Sequence, residues 1–150
     1  MYMPPNAQPG MVLSYSYLWK REQLKGETEG RKDRASVVVL VRPEGDGEVV
    51  YVLPTSTSET LENDPWAIEI PRSIKNGLKL DETRSWVNVT EFNVFAWTGY
   101  HLRPVKLLPG QPRPKQETCL FGYLPTKFLT KVTDLAYQYR QTHQPKFVKR

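Results

Sequence analysis

The clearest pattern of hydrophobic and polar positions is a pair of runs, Ser36–Arg42 and Glu48–Leu53, both rich in β-branched residues and separated by Glu44-Gly45-Asp46-Gly47. Runs this short around a turn-forming segment predict a β-hairpin. Val37 to Val41 are aliphatic without alternation, which predicts a strand covered on both faces. With Pro43 facing Glu48 across the loop, Arg34 falls opposite Thr57 and Ala35 opposite Ser56, whereas a shorter loop or a bulge sets Ser56 opposite Arg34. In either register a guanidinium stands beside Thr55, Ser56 and Thr57 at the open end of the hairpin.

The remaining pattern supplies shorter elements. Met11–Trp19 alternates apolar and hydroxyl-bearing residues and predicts a strand with one wetter face. Trp66–Ile70 alternates as a strand and stops at Pro71, after which Arg72–Gly77 predicts one helical turn ended by the glycine. Arg84–Phe95 changes apolar phase around Glu91, predicting two short strands or a bulge. Leu102–Leu108 is a last strand candidate, held to an edge by Pro104, and the proline-rich Pro109–Gln116 is an exposed loop. Phe128, Val132, Leu135 and Tyr139 make one apolar stripe along a helix over Pro125–Arg140. The chain divides into a loose lead-in over 1–9, a single domain over 10–140 and a basic, fraying tail over 141–150. The fold expected is mainly β (β+α): a small, strongly bent β-barrel with a short connector helix and a C-terminal α-helix.

Composition narrows the chemistry. A chain of 150 residues leaves room for one compact domain. The single cysteine, Cys119, rules out an internal disulfide framework, and His101 and His143 lie far apart without metal-ligand spacing. No metal and no cofactor are therefore expected, and a reducing compartment is. Neither a signal-peptide pattern nor a run of about 18 apolar residues occurs, so a cytoplasmic protein without membrane contact is expected.

The formal charge of +5 is mild, and its distribution says more. Lys20 to Arg34 holds six bases and four acids, with Gly26 and Gly30 breaking any long helix. This segment is either a solvated loop or a phosphate-binding one, with Lys20, Arg31 and Lys32 as the contacts. Trp19, at its start, closes a core or stacks on a nucleotide base. Glu91 is a carboxylate near the candidate site or a solvent-facing strand residue. No phosphate-binding glycine motif, nucleophile elbow or paired His/Cys arrangement accompanies them.

Gly10-Met11-Val12, a charged loop closing on Lys32-Asp33-Arg34, the Val37–Val41 strand and then Val52-Leu53-Pro54-Thr55-Ser56 resemble the growth-inhibiting toxins of the MazF/PemK family of toxin–antitoxin modules. Ile68-Glu69-Ile70, Leu78-Lys79-Leu80, Ser85–Glu91 and Leu102-Arg103-Pro104-Val105 follow that family's order, so the similarity spans about Gly10 to Val105. The resemblance implies a homodimeric SH3-like barrel that cleaves single-stranded RNA without metal and is neutralised by an acidic, disordered antitoxin. The family's catalytic arginine falls on Arg34 and its catalytic threonine on Ser56, where the hydroxyl is kept. Ala35 stands where the family usually has proline. The gyrase-poisoning toxins share the same barrel but act through apolar residues ending their last helix, and this chain has Tyr137-Gln138-Tyr139-Arg140 there. A relative that binds RNA or antitoxin without cleaving is the other alternative.

Overall fold

The computed structural model describes residues 1–150. In chain order its elements are β1 (Met11–Tyr15), α1 (Lys20–Leu24), β2 (Arg34–Glu44), β3 (Gly47–Ser56), a 3-10 turn (Glu59–Asn63), β4 (Ala67–Glu69), α2 (Arg72–Gly77), β5 (Trp86–Asn88), β6 (Glu91–Ala96), β7 (Leu120–Tyr123), α3 (Thr126–Thr142) and β8 (Lys146–Lys149). The protein is a β-rich domain built on a largely antiparallel sheet, with few helices.

The hairpin forms β2 and β3 and is longer than its β-branched runs. Pro43 faces Glu48 near the turn, but the pairing shifts between Val38 and Leu40, so that Leu40 faces Tyr51 while Val38 faces Val52. Val39 is the extra residue of a bulge. The β2–β3 pairs end at Ser36 with Pro54, and this register extended by two residues corresponds to Ser56 opposite Arg34, the second of the two registers the sequence allows. The far edge of β3 is shared: Val49 to Val52 pair with β6, while Thr55 and Ser56 pair with β5. On the other side β2 pairs β1, and β1 pairs β7.

The backbone ladder does not close. Between the chain that follows β1 and strand β6, side chains do the bridging. The Asn93 amide accepts the Leu18 N–H at 3.0 Å and donates to the Leu18 carbonyl at 2.8 Å, as a neighbouring strand residue would. Tyr17 donates its hydroxyl to Glu91 Oε2 at 3.1 Å.

The sheet separates two apolar clusters. Met11, Leu13 and Tyr15 pack with Val38, Val50, Val52 and Phe95 on one side. On the other, Val12, Val37, Leu53 and Val87 pack with Ile70, Leu78 and the α3 residues Phe128 and Val132. β1 is therefore buried on both faces, and the wetter face expected of it is absent. Its one serine, Ser14, donates to the Pro104 carbonyl, and Ser16 just beyond the strand donates to Glu29. Cover on both faces holds for Val37 and Val38 but not for Leu40, which the bulge carries to the surface.

Other expectations change for reasons that lie outside the local sequence. Leu102–Leu108 forms no strand: only Leu102 bridges Tyr15, while Arg103 and Val105 donate to two different segments, Ser14 and Thr118. The tail does not fray, because β8 pairs in parallel with β6 and buries Val148. Nor is the lead-in loose, since Tyr2 bridges Thr118 and the Pro4 carbonyl accepts Trp97 Nε1. α2 spans Arg72–Gly77 as expected, and the turn after Gly77 closes it. Leu80 N–H bonds back to the Lys75 carbonyl and Lys79 N–H to that of Asn76, a Schellman closure with Lys79 left-handed at φ 56°. α2 sits tightly on β7, where a Cβ on Gly122 would lie 2.8 Å from Leu78 Cδ2. No helix is long and apolar enough to cross a membrane.

Candidate active site

Strand ends, the charged loop and α2 converge on a cavity of about 450 Å³ at the open end of the hairpin. β2 contributes Arg34, β3 contributes Thr55 and Ser56, and Thr57 follows. Lys32 and Asp33 come from the loop, Lys75 from α2, Lys79 from its closure, and Lys106 from the segment between β6 and β7. The lining holds five bases, with only Asp33 and Asp81 as carboxylates. Gly30 lets the loop approach: a Cβ there would lie 2.2 Å from the Tyr17 carbonyl oxygen, and its N–H donates to Ser16 Oγ.

Arg34 is the half-buried cation among the residues expected to act. Its guanidinium donates one hydrogen bond, to the Thr55 carbonyl at 3.3 Å, and belongs to none of the ion pairs. It lies 5.2 Å from the centre of the Trp19 ring, which also receives Arg21 at 4.8 Å. Burial holds its pKa below the usual arginine value, against the pull of Glu22, and it remains charged. A half-buried cation with unused donors gains more from an anion than a solvated one does.

The three hydroxyls are not equivalent. Thr55 is buried and donates to the Ala35 carbonyl across the hairpin at 2.6 Å, so its hydroxyl holds the strand ends together. Ser56 Oγ accepts the Ser58 N–H at 3.2 Å and keeps its own proton to donate. Thr57 is exposed at the rim.

The remaining expected site residues lie outside this lining. Trp19 is core, touching Arg34 without lining the cavity. Lys20 binds Gln23 Oε1 and the Phe147 carbonyl. Arg31 is held by Glu22 and Glu27, each at 3.1 Å. Glu91 is not solvent-facing: β6 turns Glu91, Asn93 and Phe95 inward, and the Glu91 carboxylate accepts the Tyr17 hydroxyl and the Lys20 N–H. Burial raises its pKa, with those two donors opposing the rise. The structure thus gathers Lys32, Arg34, Thr55, Ser56 and Thr57 and sets Trp19, Lys20, Arg31 and Glu91 apart.

Sequence reasoning missed Lys75, Lys79 and Lys106. The first two left only a faint trace, an acid-free run from Arg72 to Leu80. Lys106 left none. No cluster of three or more His, Cys, Asp or Glu side chains forms a metal-ligand set. A second cavity of about 850 Å³ lies between α3 and the sheet, where Leu40, Tyr51, Phe92 and Phe147 meet Arg42, Arg140 and Lys149 with no carboxylate.

What the first cavity can do is bind a multiply charged anion and donate hydrogen bonds to it from a planar guanidinium and a hydroxyl. No protein-family model, curated protein or solved structure matches the chain.

Proposed function

We propose that the protein is a metal-independent endoribonuclease of the MazF/PemK toxin kind, acting on single-stranded RNA at the cavity beside Arg34. The observation that carries this reading is the uncompensated, half-buried Arg34 guanidinium across the hairpin from the free Ser56 hydroxyl. In this reaction the 2′-hydroxyl oxygen attacks the adjacent phosphorus and the bond from phosphorus to the 5′-oxygen breaks. The 2′-oxygen loses a proton and the 5′-oxygen gains one, leaving a cyclic phosphate and a 5′-hydroxyl end. Arg34 and Ser56 donate to the non-bridging oxygens as their charge grows, which is where fixed donors help most. The sheet is open, and it is the pairing of the Asn93 amide with Leu18 across its gap that supports a relation to the SH3-like barrel. As such a toxin the protein acts as a cytoplasmic homodimer and is neutralised by an acidic antitoxin. The second cavity, aromatic and basic, suits that partner.

One observation favours a second reading, an RNA-binding relative without cleavage. The cavity has no histidine, and Glu91 is turned away into bonds with Tyr17 and Lys20. Incubating the purified protein with mixed-sequence RNA in EDTA separates the two. The nuclease gives fragments with 5′-hydroxyl ends, and Arg34→Ala loses about 10²–10³ in rate while keeping its fold. Intact RNA bound to wild-type protein supports the binding-only relative, and full cleavage by folded Arg34→Ala removes Arg34 from the chemistry.

A further inference from the structure

Lys75 is the most deeply buried cation in the cavity wall. It is only 5% exposed, its ammonium donates to the Thr83 carbonyl, and no ion pair includes it. An ammonium has three donors, so two remain for another partner. Glu69 feels its charge but no carboxylate contacts it, and burying a cation without a direct ion-pair partner costs stability, a cost that residues at binding sites often carry.

Lys79 repeats this in the backbone. It occupies the left-handed position that closes α2, at φ 56°, where glycine is the usual residue because a Cβ is strained there. Both residues line the cavity that holds Arg34 and Ser56. Lys75 lies in α2 and Lys79 in the turn that closes it, and Leu78 beside Lys79 packs over Gly122.

We infer that Lys75 and Lys79 form a second phosphate subsite, which holds the phosphodiester next to the one met by Arg34 and Ser56. The ligand class follows: a single-stranded oligonucleotide spanning at least two phosphates, in a cavity of about 450 Å³. This inference rests on the reading of the cavity as an RNA site and adds the element that makes it select a chain over a mononucleotide.

The test uses a fluorescent 2′-O-methyl oligoribonucleotide, which lacks the attacking hydroxyl, with the full-length protein and its Lys75→Met and Lys79→Gly variants. Binding is measured across a salt series and thermal melting is recorded for each protein. Each variant is expected to bind more weakly, with a log–log salt slope shallower by about 0.7, and to melt higher than wild type. For Lys75→Met the rise is about 2–4 °C. Stability gained together with binding lost is a pair of changes that a merely structural lysine does not give.

Wild-type protein that binds this probe with the expected slopes but leaves natural RNA intact keeps the subsite and removes the nuclease. Cleavage of natural RNA with unchanged slopes in both variants keeps the nuclease and overturns the subsite, as does absence of probe binding by wild type. If Lys75→Met melts lower or fails to fold, that lysine is structural and the two-lysine subsite is overturned.

Discussion

Two stretches rich in lysine and arginine meet at the cavity, and they use their charge in opposite ways. The loop from Lys20 to Arg34 has the denser run of bases, yet all four of its acids are engaged in ion pairs that draw in Arg31 and cations from elsewhere in the chain. Arg31 is clamped by Glu22 and Glu27, Lys20 is bonded to Gln23 and Phe147, and Glu29 gathers His101, Arg103 and Arg150. Around α2 the bases are fewer but no acid pairs with them, and Lys75 is buried in that state. Local density of basic residues is therefore a poor guide to an anion site. Cations left without partners are a better one, since an arriving phosphate supplies what the fold withheld.

The hydroxyl row divides in the same way, and mutation of it sharpens the comparison most. Ser56→Ala should lower cleavage by about 10² with little change in melting, because the removed donor acts on the reacting phosphate. Thr55→Val should cost about 0.5–1.5 kcal/mol of stability through loss of its bond to the Ala35 carbonyl, with a much smaller effect on rate. Thr57→Ala should do neither. Rates from an end-labelled RNA and urea midpoints for the three proteins check this. An inactive Thr57→Ala protein with normal Ser56→Ala activity would mean that the bulge at Val39 does not set the working register.

A smaller effect tests the charge held inside the loop. Burial pushes the Glu29 pKa up, but the Ser16 hydrogen bond and the nearby His101, Arg150 and Arg103 outweigh it, so Glu29 sits below the ordinary carboxylate value. The unfolded chain then binds the proton more readily. The stabilisation is present above the ordinary carboxylate pKa and is lost as pH falls through the lower folded value. Because Glu29 is half exposed, screening keeps this below about 1 kcal/mol. Urea midpoints taken from about pH 7 down to pH 3 should fall less steeply for Glu29→Gln than for wild type. Equal slopes would show that Glu29 contributes nothing through its charge.

The elements legible in the sequence are those whose signal is local. The β2–β3 hairpin, α2 and the α3 stripe each carry their own pattern, and so does the break between β5 and β6. β8 was not legible because only Val148 of its four residues is buried, and its partner β6 lies more than fifty residues earlier. β7 is also four residues long and contains a glycine, and its pairing with β1 is bulged. Glu91 was misplaced because alternation tells which residues share a face but not which face is buried, and here the inward face is the polar-looking one. At the site, Arg34 and the hydroxyls were legible from the ends of the hairpin. Lys75 was not, because a lysine on a six-residue connector reads as solvent-facing until Leu78 is seen packed over Gly122.

The most direct test of the claim that unpaired cations, and not the charge-rich loop as a whole, make the RNA site compares Arg31→Ala with a Lys32→Ala, Lys106→Ala double variant. The measurement is the salt dependence of binding to a non-cleavable single-stranded RNA. The double variant should lose about 0.7 of slope for each phosphate contact removed, while Arg31→Ala, whose charge already belongs to Glu22 and Glu27, should keep the wild-type slope. A flattened slope for Arg31→Ala with an unchanged one for the double variant would contradict the account and return the site to the loop.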